Sequence, residues 1–172
     1  MDTPETLAYK IAISLIPGIG SVTARNLIAY VGSVEGVFQE KEKNLMKIPG
    51  IGEVNAKRVV RQNVLERAKR EVEFILKNRI QTFFYLDEDY PTRLKGCSDA
   101  PIILYFKGNA NLNERRIISV VGTRNATNYG KEICEELIRN FSEKSYPILV
   151  ISGLAYGIDV HAHKACLKYN IP

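Results

Sequence analysis

Tryptophan is absent from the 172 residues, and only two histidines and two methionines occur. The two histidines, His161 and His163, are two positions apart and point to different sides of a helix, which argues against a shared metal. The three cysteines, Cys97, Cys134 and Cys166, are odd in number and far apart, and no C-x-x-C occurs. They read as reduced thiols of a cytoplasmic protein and exclude both a disulfide framework and a zinc site. No run of eighteen apolar residues is present, so no membrane span is expected. The first ten residues carry two acids and no basic n-region, and do not read as a secretory signal. G-x-G-x-x-G and G-x-x-x-x-G-K-[ST] are both missing, which removes the usual dinucleotide and nucleoside-triphosphate signatures. No paired nucleophile and base is visible. The expectation is a protein without catalytic residues, metal or cofactor.

What is present supports a folded chain. Apolar residues make up 45%, ample for a core. The net charge is +5, and residues 53–80 alone hold eight Lys/Arg against four acids. A basic helical stretch suits a polyanion, yet charge alone favours a solvated outer face.

Helical spacing runs over 3–16 (Leu7, Ile11, Leu15), with Thr3 or Asp2 as cap and Pro4 in the first turn. A second helix puts Val22, Ala24, Leu27 and Ile28 inward and ends near Gly32; a third occupies about 40–47. A long helix from Gly52 to about Asn78 carries Ala56, Val59, Val60, Val64, Ala68, Val72, Ile75 and Leu76. Two of the joints repeat: Ile16-Pro17-Gly18-Ile19-Gly20 and Ile48-Pro49-Gly50-Ile51-Gly52 each continue x-Val-x-Ala and a basic residue, Arg25 or Lys57. This resembles the helix-hairpin-helix motif. Glycines allow the tight turn and leave N–H groups exposed at the next helix start, where the helix dipole favours phosphate. Gly18, Gly20, Arg25, Gly50, Gly52 and Lys57 are therefore secondary candidates for DNA contact. The alternative is a pair of purely structural joints.

From Gln81 the pattern turns to period two. Strands are expected at 81–86, 102–106, 116–121 (buried on both faces) and 147–151, with a short helix around Leu94. A helix capped by Thr127 or Asn128 buries Ile133, Leu137, Ile138 and Phe141; another, from about Val160, buries Ala162, Ala165, Cys166 and Leu167. Asp159 is read as its cap and His163 as bonded locally, in preference to an acid–base pair. The boundary is placed near residue 80, giving a helical domain at 1–80 and an α/β domain at 81–172. Two strand–loop–helix units place Gly122, Thr123 and Arg124, and Ser152, Gly153 and Leu154 through Gly157, at the carboxyl ends of strands, where such sheets bind ligands. Ile171-Pro172 stands where a further strand should start, so the sheet is expected to be incomplete and the chain the front of a longer protein or a piece of one.

These segments resemble the DprA (DNA-processing protein A, or Smf) family of bacterial transformation. The resemblance lies in Tyr90-Pro91, Ala100-Pro101-Ile102, Phe106-Lys107-Gly108, Val120-Val121-Gly122-Thr123-Arg124 and Ser152-Gly153-Leu154-Ala155 to Gly157-Ile158-Asp159. It implies a helix-hairpin-helix (SAM-like) domain before an extended Rossmann-like parallel sheet. It implies a cytoplasmic protein that binds single-stranded DNA, loads the recombinase RecA onto it and dimerises when full-length. It assigns phosphate contacts to Arg124 and to the N–H groups of Ser152 and Gly153. This chain has Tyr156 where the family usually has Arg, so no charge carries over there. Tyr129 and Tyr156 are candidate stacking platforms, with packing as the alternative. Two other functions remain open: a nucleotide hydrolase on a related sheet, and a duplex-DNA binder working through the hairpins.

Overall fold

Capping chemistry decides where the first helices start and stop. In the computed structural model, which describes residues 2–114 and 116–172, helix α1 (Pro4–Leu15) opens with Thr3 Oγ1 accepting from the N–H of Thr6 at 3.1 Å. Helix α2 (Ser21–Val31) ends at Gly32, whose left-handed backbone lets its N–H reach Ile28 O at 2.8 Å. Helix α3 (Val34–Gln39) is capped by the Ser33 hydroxyl, which accepts from Gly36 N at 3.0 Å. Then come α4 (Glu42–Leu45), α5 (Glu53–Val60) and α6 (Leu65–Asn78).

The two repeats fold alike. Gly18 and Gly50 have φ of +77° and +80°, and Ile19 N and Ile51 N donate back to Ile16 O and Ile48 O at 3.1 and 3.0 Å. All four isoleucines are buried. The arrangement is reciprocal. A Cβ on Gly18 would meet the Arg58 guanidinium, and one on Gly50 would meet Asn26. Positions 26 and 58 are themselves 32 residues apart, as are the two glycines, so each hairpin faces the equivalent position of the other.

Two helical expectations need correction. The long helix of 53–78 breaks after Val60. The Gln62 side chain accepts from Val64 N at 2.9 Å, so that N–H is diverted from the helical ladder. The helix expected at about 40–47 is the single turn α4, and α3 before it, started by the Ser33 cap, is a helix that the pattern did not signal. Val22, Val60 and Leu76, expected inside, are exposed.

Strand β1 (Gln81–Phe84) pairs antiparallel with β2 (Ile103–Phe106), with α7 (Thr92–Lys95) between them. The change from helices to strands does fall at residue 80, yet the first compact unit runs on to Gly108. Its hydrophobic core explains why: Phe84, Ile102 and Ile103 share one cluster with Ile11, Leu27 and Val72.

The second unit begins at Asn109. Strand β3 (Ile117–Ser119) pairs in parallel with β4 (Leu149–Ile151), in the register Ile117–Leu149 and Ser119–Ile151. Helix α8 (Asn128–Glu143) crosses between them and α9 (Ile158–Tyr169) follows β4. Ile138, Ile148, Val150, Ala165 and Cys166 form the core. Here too the burial differs from expectation. Cys134 and Ile138 are the buried positions of α8, whereas Ile133, Leu137 and, on α9, Leu167 are exposed. Strand β3 is half-buried and, among the described residues, pairs with β4 alone.

Candidate nucleic-acid interface

The parallel register brings the loops after β3 and β4 out of the sheet at the same level. Val120 N donates to Ile151 O at 2.9 Å, and Ser152 Oγ donates to Val120 O at 2.7 Å. Beyond that point the loops interlock. Gly157 has φ +87°, and a Cβ there would lie 2.1 Å from Thr123 O and 2.6 Å from Arg124 O. Ile158 N donates to Thr123 O at 3.2 Å. A Cβ on Gly122 would fall 2.6 Å from Ile158 Cβ. Glycine at 122 and 157 is thus required by close approach, which the strand–glycine pattern signalled only as turns.

Asp159 completes the joint. It is not the cap of α9; Gly157 occupies that position and Asp159 lies in the first turn, 5% exposed. Oδ1 accepts from Gly122 N at 3.3 Å and Oδ2 from Gly153 N at 3.2 Å. The carboxylate therefore holds both loops. Nε2 of its neighbour one turn on, His163, is buried without a partner among the described residues, so the local bond expected for this histidine is not seen at that atom.

These bonds redistribute the expected phosphate contacts. The N–H of Gly153 and the hydroxyl of Ser152 are already engaged inside the protein. Thr123 Oγ1 accepts from Asn125 N at 3.2 Å and keeps its own proton. Among the described residues, the N–H groups of Thr123, Leu154, Ala155 and Tyr156 have no acceptor. Leu154 is in the left-handed region at φ +56° and 74% exposed. Arg124 is exposed, with no hydrogen bond or ion pair among the described residues. Tyr156 and Tyr129 are 85% and 73% exposed, so packing, the alternative weighed for them, is not what holds either ring. A guanidinium, free amides and open aromatic faces are the groups that hold phosphate and bases.

The hairpin candidates divide. The Arg25 guanidinium donates to Cys97 O at 3.2 Å and Ala100 O at 3.0 Å and stacks 5.1 Å from the Tyr85 ring centroid. It fastens the segment at 97–100 to α2 and is not presented outward. Lys57 pairs with Glu53 on the same helix. Lys69 and Arg67 likewise have acids one turn away, Glu66 and Glu71. Gly20 and Gly52 open their helices without a side-chain cap and with open space where a Cβ would stand. Arg58, which the sequence did not single out, lies over Gly18. A groove of 540 Å³ between α1 and α6, lined by Ala8, Tyr9, Leu65 and Val72, contains none of the candidate residues.

The profile of the DNA recombination-mediator protein A family matches residues 81–172, over half of the chain. The chain belongs to that family. Residues 11–62 separately match the SAM-like helix-hairpin-helix tandem, which agrees with the paired turns at Gly18 and Gly50. DNA processing protein DprA of Bacillus subtilis is 39% identical over 90 residues, covering 52% of this chain and 30% of that protein. Protein Smf of Synechocystis is 26% identical over 167 residues, covering 95% of this chain and 42% of its own length. The crystal structure of DNA processing protein A from Streptococcus pneumoniae superposes with a TM-score of 0.66 at 25% identity, over 99% of this chain and 56% of that one. The chain thus spans less than half the length of these curated relatives. No helix among its described residues is long and apolar enough to cross a membrane.

Proposed function

We propose that the interlocked loops at 122–124 and 152–157 seat the phosphodiester backbone of single-stranded DNA, in a DNA-processing protein that binds without turnover. The observation carrying this reading is Arg124: an exposed guanidinium, unpaired among the described residues, on a loop locked against a second loop with free amides. A guanidinium can hold phosphate through two parallel hydrogen bonds. Tyr156 replaces the cation usual in the family with a ring, which exchanges charge for stacking. Family membership and the names of its relatives support DNA as the ligand. On the same reading the protein works in the cytoplasm as a homodimer and delivers the coated strand to RecA.

Fluorescence anisotropy with a labelled oligo-dT tests the seat. Arg124→Ala is expected to weaken binding by about 1–3 kcal/mol, the scale of a charge-assisted hydrogen bond. Salt should weaken wild-type binding with a slope of roughly −0.7 per phosphate neutralised. Equal affinity of wild type and Arg124→Ala would refute the proposal.

A second reading draws on the uncapped helix starts at Gly20 and Gly52: duplex binding through the paired hairpins. A duplex competitor that displaces the oligo-dT at equal concentration, with Arg58→Ala more damaging than Arg124→Ala, would favour it.

A further inference from the structure

We infer that Asp159 is the positioning residue of the anion seat, a buried carboxylate that fixes the distance between the two loops. The inference rests on the reading above that those loops bind the DNA backbone. Each carboxylate oxygen serves a different loop: Oδ1 takes the N–H of Gly122, 37 residues away in sequence, and Oδ2 takes that of Gly153. The side chain is 5% exposed, so it does not meet the ligand itself. The closeness of Gly153 is part of the device, since a Cβ there would lie 2.9 Å from Oδ2 and push the carboxylate away.

An acid is an unexpected choice beneath a site for an anion. Coulomb repulsion between the carboxylate and phosphate alone predicts that deleting its charge tightens DNA binding. Its retention of both loops predicts the reverse. Asparagine keeps the size of the side chain but offers one oxygen and one NH2, and the NH2 must face one of the two N–H donors. One loop is then released. The two views differ in sign, which makes the residue testable.

The experiment is oligo-dT anisotropy on wild type, Asp159→Asn, Arg124→Ala and the double variant, with amide hydrogen exchange at Gly122 and Gly153. Asp159→Asn is expected to bind about tenfold more weakly although it removes a negative charge, the scale of one charge-assisted hydrogen bond. The double variant should bind no more weakly than Arg124→Ala, because the carboxylate acts through the loop that carries the guanidinium. Exchange at Gly122 or Gly153 should quicken while the α8 amides stay protected. Gly153→Ala, which displaces the carboxylate but keeps its charge, should lose affinity in the same way if Asp159→Asn fails to fold. Wild-type binding with an unchanged or tighter Asp159→Asn or Gly153→Ala overturns the role of Asp159 and leaves the DNA reading standing. No binding by wild type overturns both.

Discussion

Replacing Gly157 with alanine tests how the two loops are joined. The new Cβ would stand 2.1 Å from Thr123 O, where Cβ atoms are essentially never closer than 3.0 Å, so the 122–124 loop must retreat by about 1 Å or more. Both obstructing groups are main chain, and no side-chain rotation relieves them. The backbone at φ +87° and ψ −130° is itself hostile to a side chain, at roughly 1–3 kcal/mol. Separation also removes the bond from Ile158 N to Thr123 O, worth about 1 kcal/mol. The expected loss is therefore about 2–4 kcal/mol in urea denaturation. Oligo-dT affinity should fall as well, because Arg124 moves with its carbonyl. Gly20→Ala and Gly52→Ala are the controls: their backbones are extended, and nothing lies within 4 Å of the added carbon. As N-cap positions, where alanine is less favoured than glycine, each should cost no more than about 1 kcal/mol. If Gly157→Ala is as mild as the controls, the loops are not held by this contact and the geometry of the seat is wrong.

Arg25→Ala should destabilise the first unit by about 1–2 kcal/mol, as the carbonyls at 97 and 100 lose a half-buried cation, and should leave oligo-dT affinity unchanged. Loss of binding without loss of stability would return Arg25 to the DNA site. Tyr156→Ala should weaken oligo-dT binding by about 1–3 kcal/mol while Tyr156→Phe does not, since a base stacks on the ring. Equal losses in both variants would point to the hydroxyl instead. Iodoacetamide should modify exposed Cys97 rapidly and Cys134 and Cys166 slowly, read by mass spectrometry, because burial raises both inner thiols above the ordinary 9.0. With folded values above unfolded ones, these two thiols should erode stability as pH rises from about 9 through their folded values.

Local signals in the sequence were enough for the hairpins. A glycine turn, its isoleucine plugs and the next helix start all lie within ten residues, and the 32-residue repeat made each copy evidence for the other. The interruption at 61–64 escaped because Val59, Val60 and Val64 continue a helical spacing through it, while a single glutamine side chain redirects the backbone. Both loops at the strand tips were also legible, since apolar runs ending in glycine mark such loops. What joins them was not. Asp159 resembles a helix cap when only its neighbours are read, and its partner Gly122 lies 37 residues upstream. The amphipathic pattern of α8 offered two adjacent apolar stripes, and packing against α9 selected Cys134 and Ile138 over Ile133 and Leu137. Arg25 appeared as a free cation because its acceptors at 97 and 100 are main-chain carbonyls, which no side-chain pattern reveals.

The interlock between Gly157 and the 122–124 loop also bears on how a guest would be received. A flexible pair of loops must lose conformational entropy when it closes on a ligand, and that loss is subtracted from affinity. Here, folding has already frozen the two segments against each other. Arrival of a strand would demand little rearrangement of the protein, and most of the ordering would fall on the nucleic acid.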